Sequence, residues 1–431
     1  MPATVVIGGQ WGDEGKGRVV DLLARDVNVI ARYSAGNNAG HTIINSQGLF
    51  ALHIVPAGIF YPEKTCIIGN GMAVDPSVLL EEIDTLEGRG VPTDKLFVSD
   101  RAHVVMPYHP LIDQLDEKLR GAAAVGTTGR GIGPCFADKV GRLGIRMGDL
   151  VDPQAFRDRL EFVLPYKNAI LTKLYDSEPL AFNEVYERYG ELAARLAPRV
   201  CDTSVIARNA LSRGETILLE GAQGALLDLD GGTYDYVTSS VPSSTAAGAA
   251  IGMGVGPADI TKVVGVYKAY MTRVGNGPMP TELLDETGQI LRMQGPRPEV
   301  GTTTGRPRRT GWFDAVVSRY SAHVNSVTGI ALTRLDVLDP FPSILVCTGY
   351  KIDGKHVDTP PASITAFDRA VPEYEELPGW QSDSSSARRF EDLPENAQRY
   401  VRRIGELIGK PIEIVSVGPE REQVIIVDKP L

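Results

Sequence analysis

Cysteine is scarce in this chain, and Cys66, Cys135, Cys201 and Cys347 are too scattered to make a C-x-x-C pair or a metal-finger spacing. That excludes a disulfide framework and a thiolate metal centre, and it fits a reducing cytoplasmic compartment. Long apolar runs are missing as well. Nothing approaches the ~20 apolar residues that a transmembrane helix needs, and no basic segment precedes the first apolar run, so neither a span nor a leader is expected. Positive charge is not in excess either: 44 Lys and Arg against 54 Asp and Glu leave a net charge of −10. General attraction to nucleic acid or an anionic membrane is thereby disfavoured, and any anion must be bound locally.

What remains is the composition of an ordinary globular protein, 43% hydrophobic and 23% charged. With 431 residues the chain can hold two or three domains or one large α/β unit with insertions. Strand-like runs fall at 4–8, 27–33, 216–219, 260–266, 329–335, 343–347, 412–417 and 423–427, separated by long or helical segments. That alternation predicts an α/β fold with a large, mostly parallel central sheet and helical crossovers. Helices are expected over Lys16–Ala24, Pro76–Leu86, His109–Leu119 and Asn396–Ile408. From about 152 to 213 the pattern is almost wholly helical, with candidates at 155–164, 169–175, 182–196 and 202–211. This reads as a helical insertion in a single catalytic domain over 1–431, because no Pro/Gly/Ser-rich linker flanks it. Ser382–Ser386 reads as a mobile surface connection.

The richest segment is the first. A buried strand at Thr4–Gly8 runs into Gly9–Gly15 and then a helix, so the glycines lie at a helix N-terminus, where free N–H groups and the helix dipole favour phosphate. Lys16 adds a positive charge. The loop is P-loop-NTPase-like without being a standard P-loop, which would place glycine at Gln10 and a hydroxyl side chain at Gly17. Asp13 can replace the missing hydroxyl as an oxygen ligand for Mg²⁺, or serve as a general base.

Two further loops suit anions. Gly126-Thr-Thr-Gly-Arg-Gly-Ile-Gly-Pro134 can wrap one, and Thr302-Thr-Thr-Gly-Arg-Pro-Arg-Arg-Thr310 concentrates Arg306, Arg308 and Arg309 on an acidic background. Thr333-Arg-Leu-Asp-Val337 closes an apolar run, at a strand end where open α/β sheets place ligands. Asp336 there can accept two N–H bonds from guanine, which adenine cannot donate. His41 is one of only 6 histidines, in a glycine-flanked loop; His53 sits in an apolar run and reads as core or supporting.

Gln10-Trp-Gly-Asp-Glu-Gly-Lys-Gly17 followed by Asn38-Ala-Gly-His-Thr42 resembles the amino-terminal signature of the adenylosuccinate synthetase family. The resemblance continues in separated segments from Val5 to Gly418. It implies that Asp13 and His41 are catalytic and that Asp13 and the Gly40 carbonyl hold Mg²⁺. It implies GTP contacts from Gly12, Gly15, Lys16, Gly17, Gly40, Thr42, Arg308, Arg334, Leu335, Asp336, Ser416, Val417 and Gly418. IMP would be held by Asn38, Thr128, Gln223, Thr238 and Arg306, with Arg142 reaching it from the partner subunit of a homodimer. Thr302, Thr303, Thr304, Gly305 and Arg306 would close over L-aspartate. The family usually has lysine in place of Arg334 and threonine in place of Val417.

The implied reaction is ligation of L-aspartate to C6 of IMP through 6-phosphoryl-IMP, giving adenylosuccinate, GDP and phosphate on the route from IMP to AMP. Asp13 would remove the N1 proton and His41 would bond to the 6-oxygen or the moving phosphoryl. A GTP-binding regulatory protein and a different nucleotide-dependent ligase are the alternatives. The first leaves both extra anion loops and His41 without a task.

Overall fold

The structure is a computed structural model describing residues 3–45, 48–294, 298–300 and 307–428. Its centre is a sheet of ten strands: β1 (Ala3–Gly8), β2 (Val29–Arg32), β3 (Thr65–Ile68), β4 (Leu96–Ser99), β5 (Val200–Cys201), β6 (Ile217–Gly224), β7 (Ile260–Lys268), β8 (Gly329–Thr333), β9 (Ile412–Ser416) and β10 (Val424–Ile426). They lie in the order β10-β9-β8-β7-β1-β6-β2-β3-β4-β5. Every pairing is parallel except β9 with β10. Parallel strands need long crossovers, and those crossovers cover both faces, so β1, Ala-Thr-Val-Val-Ile-Gly, is apolar almost throughout and buried from end to end but for partial exposure at Thr4.

The phosphate-loop helix α1 spans Lys16–Ala24, as its periodicity predicts. Behind it come α2 (Pro76–Gly88), α3 (Tyr108–Arg120), α4 (Ile132–Gly141) and the short α5 (Met147–Leu150). α2 starts where the sequence places it: Asp75 caps it by accepting from Ser77 N at 3.0 Å and Val78 N at 3.3 Å, with proline at the first position, whose missing N–H is harmless there.

Between 152 and 213 the chain is mainly helical, with α6 (Pro153–Lys173), α7 (Phe182–Leu196) and α8 (Thr203–Ser212). Two details differ from expectation. The helices expected at 155–164 and 169–175 are one helix, α6, which runs through Pro165. Burial of Leu160, Val163, Leu164 and Leu171 along one face outweighs the single backbone bond the proline forfeits. The stretch also carries β5, which pairs with β4 at the sheet edge.

Other corrections concern strands. Residues 343–347 belong to Ser343–Ile352, which leaves the central sheet for a smaller one and pairs with Phe313–Asp314, Lys355–Val357 and Val371–Pro378. β9 pairs with β8 on that side of the central sheet, and β10 follows at the edge. β8 stops at Thr333, and Leu335 begins a 3₁₀ turn, Leu335–Leu338. β3 and β4 are four-residue strands with no alternation to betray them. The serine-rich loop is anchored: Asp339 accepts from Ser384 N at 2.9 Å and from the Ser384 hydroxyl at 2.8 Å, and Ser384 is buried. Among the described residues, no helix is long and apolar enough to cross a membrane.

Candidate active site

The carboxyl ends of β1, β2, β6, β7 and β8 open into one cavity of about 1390 Å³. β1 lies between β6 and β7, so the chain crosses to opposite sides of it, and such a reversal point leaves a crevice at the strand ends. Of the residues predicted from sequence, Gly12, Asp13, Gly15, Lys16, Gly17, Asn38, Gly40, His41, Thr128, Gln223, Thr238, Arg308 and Arg334 line it. Thr302, Thr303, Thr304, Gly305 and Arg306 lie outside the described residues.

The loop from β1 to α1 curls through left-handed backbone at Gly12 (φ 89°), Asp13 (φ 59°) and Gly15 (φ 87°). Its inner side is filled by the buried Glu14 carboxylate, which accepts from Gln10 N at 3.1 Å, Gly12 N at 2.9 Å and Lys16 Nζ at 2.6 Å. Part of the Lys16 charge is therefore spent within the loop. Gly17 has a steric reason to replace the hydroxyl of a standard P-loop: a Cβ there would sit 2.9 Å from His41 Cβ. The histidine packs where the side chain would be.

His41 begins the strand His41–Asn45, which Thr42 continues. Its Nδ1 meets a carboxylate oxygen of Glu220 on β6 in a short contact, and its Nε2 is buried with no hydrogen-bond partner among the described residues. Burial pulls the imidazole below its ordinary pKa, with Glu220 opposing. Burial alone would raise Glu220, but His41, Arg32 and the Ala57 N–H together hold it below the usual carboxylate range. The preceding loop is fixed by His53, whose Nδ1 donates to the Ala39 carbonyl at 2.7 Å, which makes it the supporting residue its apolar context suggests.

Asp13, on the phosphate loop, lines the same cavity as His41. Its Oδ2 accepts from Arg308 Nε at 2.7 Å, and Arg308 Nη1 also donates to Glu299. Glu299 is a wholly buried hub: Lys268 Nζ donates to its two oxygens at 2.9 and 3.0 Å, and Tyr270 adds its hydroxyl. Burial works against its charge, yet Lys268, Arg334 and Arg308 hold it well below the ordinary range. Burial in turn pushes Lys268 down to about 8. Arg308 N donates to the Glu299 carbonyl at 2.9 Å and Val300 bridges Pro307, so residues 299–300 pair with 307–308. Arg309 is turned away, held by Glu282 and by the Gly277 carbonyl at 2.8 Å, so it is not a free anion ligand.

On the opposite wall, the amides of the glycine loop already have partners. Glu117 accepts from Val125 N at 3.0 Å, Gly126 N at 2.7 Å and Thr127 N at 3.0 Å, while Asp113 accepts from Gly131 N at 2.9 Å. The loop is thus braced by its own acids rather than open to wrap an anion with these amides. Ser244 donates to Gln223 Oε1 at 2.9 Å, and Thr238 lies beside Ser240. Arg142, a left-handed residue at the end of α4, is exposed and outside this cavity.

Asp336, Ser416, Val417 and Gly418 gather at the ends of β8 and β9, beside the cavity. Asp336 Oδ1 is buried with no hydrogen-bond partner among the described residues, and burial raises the carboxyl above its ordinary value. A residue that sequence reasoning missed ties this corner to α1: Arg18 donates to Ser416 Oγ at 2.8 Å and to the carbonyls of Gly418 and Glu420. Val417 is buried in the core behind the corner, so its departure from threonine faces away from the cavity.

Glu14, Arg18, Glu220 and Glu299 are the site residues that the sequence reading passed over. Glu220 had a signal: it is an acid at the end of the apolar run Ile217-Leu-Leu. Asp13 and Gly40 line the same cavity, and Mg²⁺ characteristically takes few protein oxygens alongside phosphates and water.

The model of the family described as adenylosuccinate synthetase matches residues 5–425. The adenylosuccinate synthetase of Exiguobacterium sibiricum is 52% identical over 426 residues, covering 99% of this chain and 98% of its own. That of Carboxydothermus hydrogenoformans is 52% identical over 429 residues, covering both chains fully. The fully ligated adenylosuccinate synthetase structure from Plasmodium falciparum superposes with a TM-score of 0.93 at 36% identity, covering 99% of this chain and 100% of its own. With a cavity whose walls carry the family's signature residues, this chain belongs to the adenylosuccinate synthetase family.

Proposed function

We infer that this chain joins the amino group of L-aspartate to C6 of IMP with GTP, giving adenylosuccinate, GDP and phosphate. The observation that carries the reading is the convergence of Asp13, His41, Lys16 and Gln223 on one cavity wide enough for two nucleotides. The 6-oxygen of IMP is a poor leaving group, so it is first activated. Asp13 takes the N1 proton, and charge moves onto the 6-oxygen, which attacks the γ-phosphoryl of GTP. The P–O bond to GDP breaks and 6-phosphoryl-IMP forms. The aspartate amine then adds at C6, loses a proton and expels phosphate.

The chain's own contribution is position and charge. Lys16 and the amides of Gly15 and Gly17 stand at the positive end of α1, suited to the phosphates of GTP. His41 Nε2 faces the transferring group. Asp13 and the Gly40 carbonyl would hold Mg²⁺, which when bound neutralises charge on the phosphates. Gln223, Asn38, Thr128 and Thr238 orient IMP, and Arg306 with Thr302, Thr303, Thr304 and Gly305 receives aspartate. Asp336 accepts from the guanine N–H groups, with Arg334, Leu335, Ser416 and Gly418 around the ring.

We further propose a cytoplasmic homodimer in which Arg142 completes the partner's IMP site. Arg159 donates to the carbonyls of Arg142 and Gly144 and stacks 5.4 Å from the Phe162 ring, so the end of α4 and one face of α6 share a surface. Val140, Phe162 and Tyr166 are exposed there at 65%, 63% and 53%, which suits burial against a second copy. Mixing inactive Asp13→Ala and Arg142→Leu subunits tests this. A shared site predicts recovery of about a quarter of wild-type activity, from the one intact site in each mixed dimer; no recovery despite subunit exchange contradicts it. The free thiols of all four cysteines fit the reducing compartment.

A further inference from the structure

We propose that Glu220 is the positioning residue of His41: its carboxylate holds the ring by Nδ1–H and presents Nε2 to the reacting phosphoryl oxygen. The proposal rests on the reading that His41 contacts that oxygen.

The geometry is asymmetric in an informative way. Glu220 and Arg32 are both wholly buried, as is costly for any charge unless it is paired. One oxygen of Glu220 accepts from Ala57 N at 2.8 Å, and the other is given to His41 Nδ1. An ionised carboxylate only accepts, so Nδ1 must carry the proton. In the neutral ring Nε2 then carries the lone pair, and it is buried without a hydrogen-bond partner among the described residues, on a side chain that lines the cavity. An unsatisfied buried nitrogen calls for a ligand group to complete it.

The surroundings maintain this state. Burial, with Lys16 and Arg32 nearby, favours the neutral imidazole against Glu220. The absence of a side chain at Gly17 lets the imidazole pack against the start of α1. A neutral hydrogen-bonding residue in place of Glu220 would keep the packing but not fix the proton, because an amide offers Nδ1 either its oxygen or its NH₂.

The test compares Glu220→Gln, Glu220→Asp and His41→Asn, using ¹⁵N-histidine NMR and steady-state kinetics with IMP, GTP and aspartate. The His41 signal is assigned by its loss in His41→Asn. The wild type should show the Nδ1–H tautomer. Glu220→Gln should mix the tautomers and lower kcat by ~10- to 10⁴-fold with each KM within ~3-fold. Glu220→Asp should recover part of kcat. An Nε2–H tautomer in the wild type overturns the proposal, whether or not the variants fold. So does a Glu220→Gln enzyme with wild-type kcat while His41→Asn is inactive, or one that loses kcat with its tautomer unchanged. Full activity in His41→Asn would instead overturn the role given to His41 itself.

Discussion

Arg308 Nε donates to Asp13 Oδ2 at 2.7 Å while the same guanidinium donates to Glu299, so one side chain links the carboxylate assigned as base to the buried Glu299 hub. The planar fork allows this double contact, which a lysine ammonium cannot reproduce. Arg308→Lys is therefore expected to lower kcat/KM at least ~10-fold, the scale of one charge-assisted bond, with KM for GTP and aspartate rising more than KM for IMP. Steady-state kinetics with each substrate varied checks this; unchanged constants would remove Arg308 from the site.

Asp336 carries guanine selection in this account. Its buried Oδ1 has no partner among the described residues, which suits a carboxylate awaiting two N–H donors from a base. Asp336→Ala should erase most of the preference for GTP over ATP, about 1–3 kcal/mol, or roughly 10- to 100-fold in kcat/KM. A variant that still discriminates at the wild-type level would place the selection elsewhere.

Gly17 offers a steric test. Alanine there brings Cβ to 2.9 Å from His41 Cβ, so one of the two must move. Gly17→Ala should lower kcat at least ~10-fold by displacing the imidazole, with a loss of ~1–3 kcal/mol in stability from local overpacking. Activity equal to wild type would show that His41 has room the structure does not give it.

Acid stability follows from three histidines. Burial holds His41, His103 and His109 below the ordinary histidine value, His103 at about 3. Between that value and about 6.5 the unfolded chain binds more protons than the folded one, so stability rises with pH across the window and falls on acidification. Each group contributes up to ~1.4 kcal/mol per pH unit. The melting temperature should drop steadily from pH 7 to 4, and His103→Gln should flatten that slope by one group's share; a flat profile would contradict the burial of these rings.

The sequence disclosed the parts of the fold whose pattern is local. α1 and α7 have the expected limits because their apolar spacing and glycine or loop boundaries coincide. β1, β7 and β8 were legible as β-branched runs ending at ligand loops. Strands β3, β4 and β5 were not, because four residues or fewer buried on both faces leave no period to read. The partners of Ser343–Ile352 depend on tertiary competition for a sheet edge, which no window of sequence contains.

The site divides in the same way. Lys16, Asp13 and His41 stand in a glycine-rich motif and announce themselves. Glu14, Glu220 and Glu299 do not, since a buried carboxylate is recognised by the donors that meet it in space. Those three acids change the electrostatics most: they pair with Lys16, with His41, and with Lys268 and Arg308. The glycine loop near Thr128 reads in sequence as an open anion cradle, but Glu117 and Asp113 occupy several of its amides, a pairing that only the folded chain brings about.

The most direct measurement follows the 6-oxygen. Purified protein is incubated with Mg²⁺, GTP, aspartate and IMP carrying ¹⁸O at position 6, and the products are analysed by mass. The account predicts adenylosuccinate with the label in inorganic phosphate, and neither product when any one substrate is omitted. Phosphate released without label, or label retained in the purine, would contradict activation of IMP through its 6-phosphoryl form.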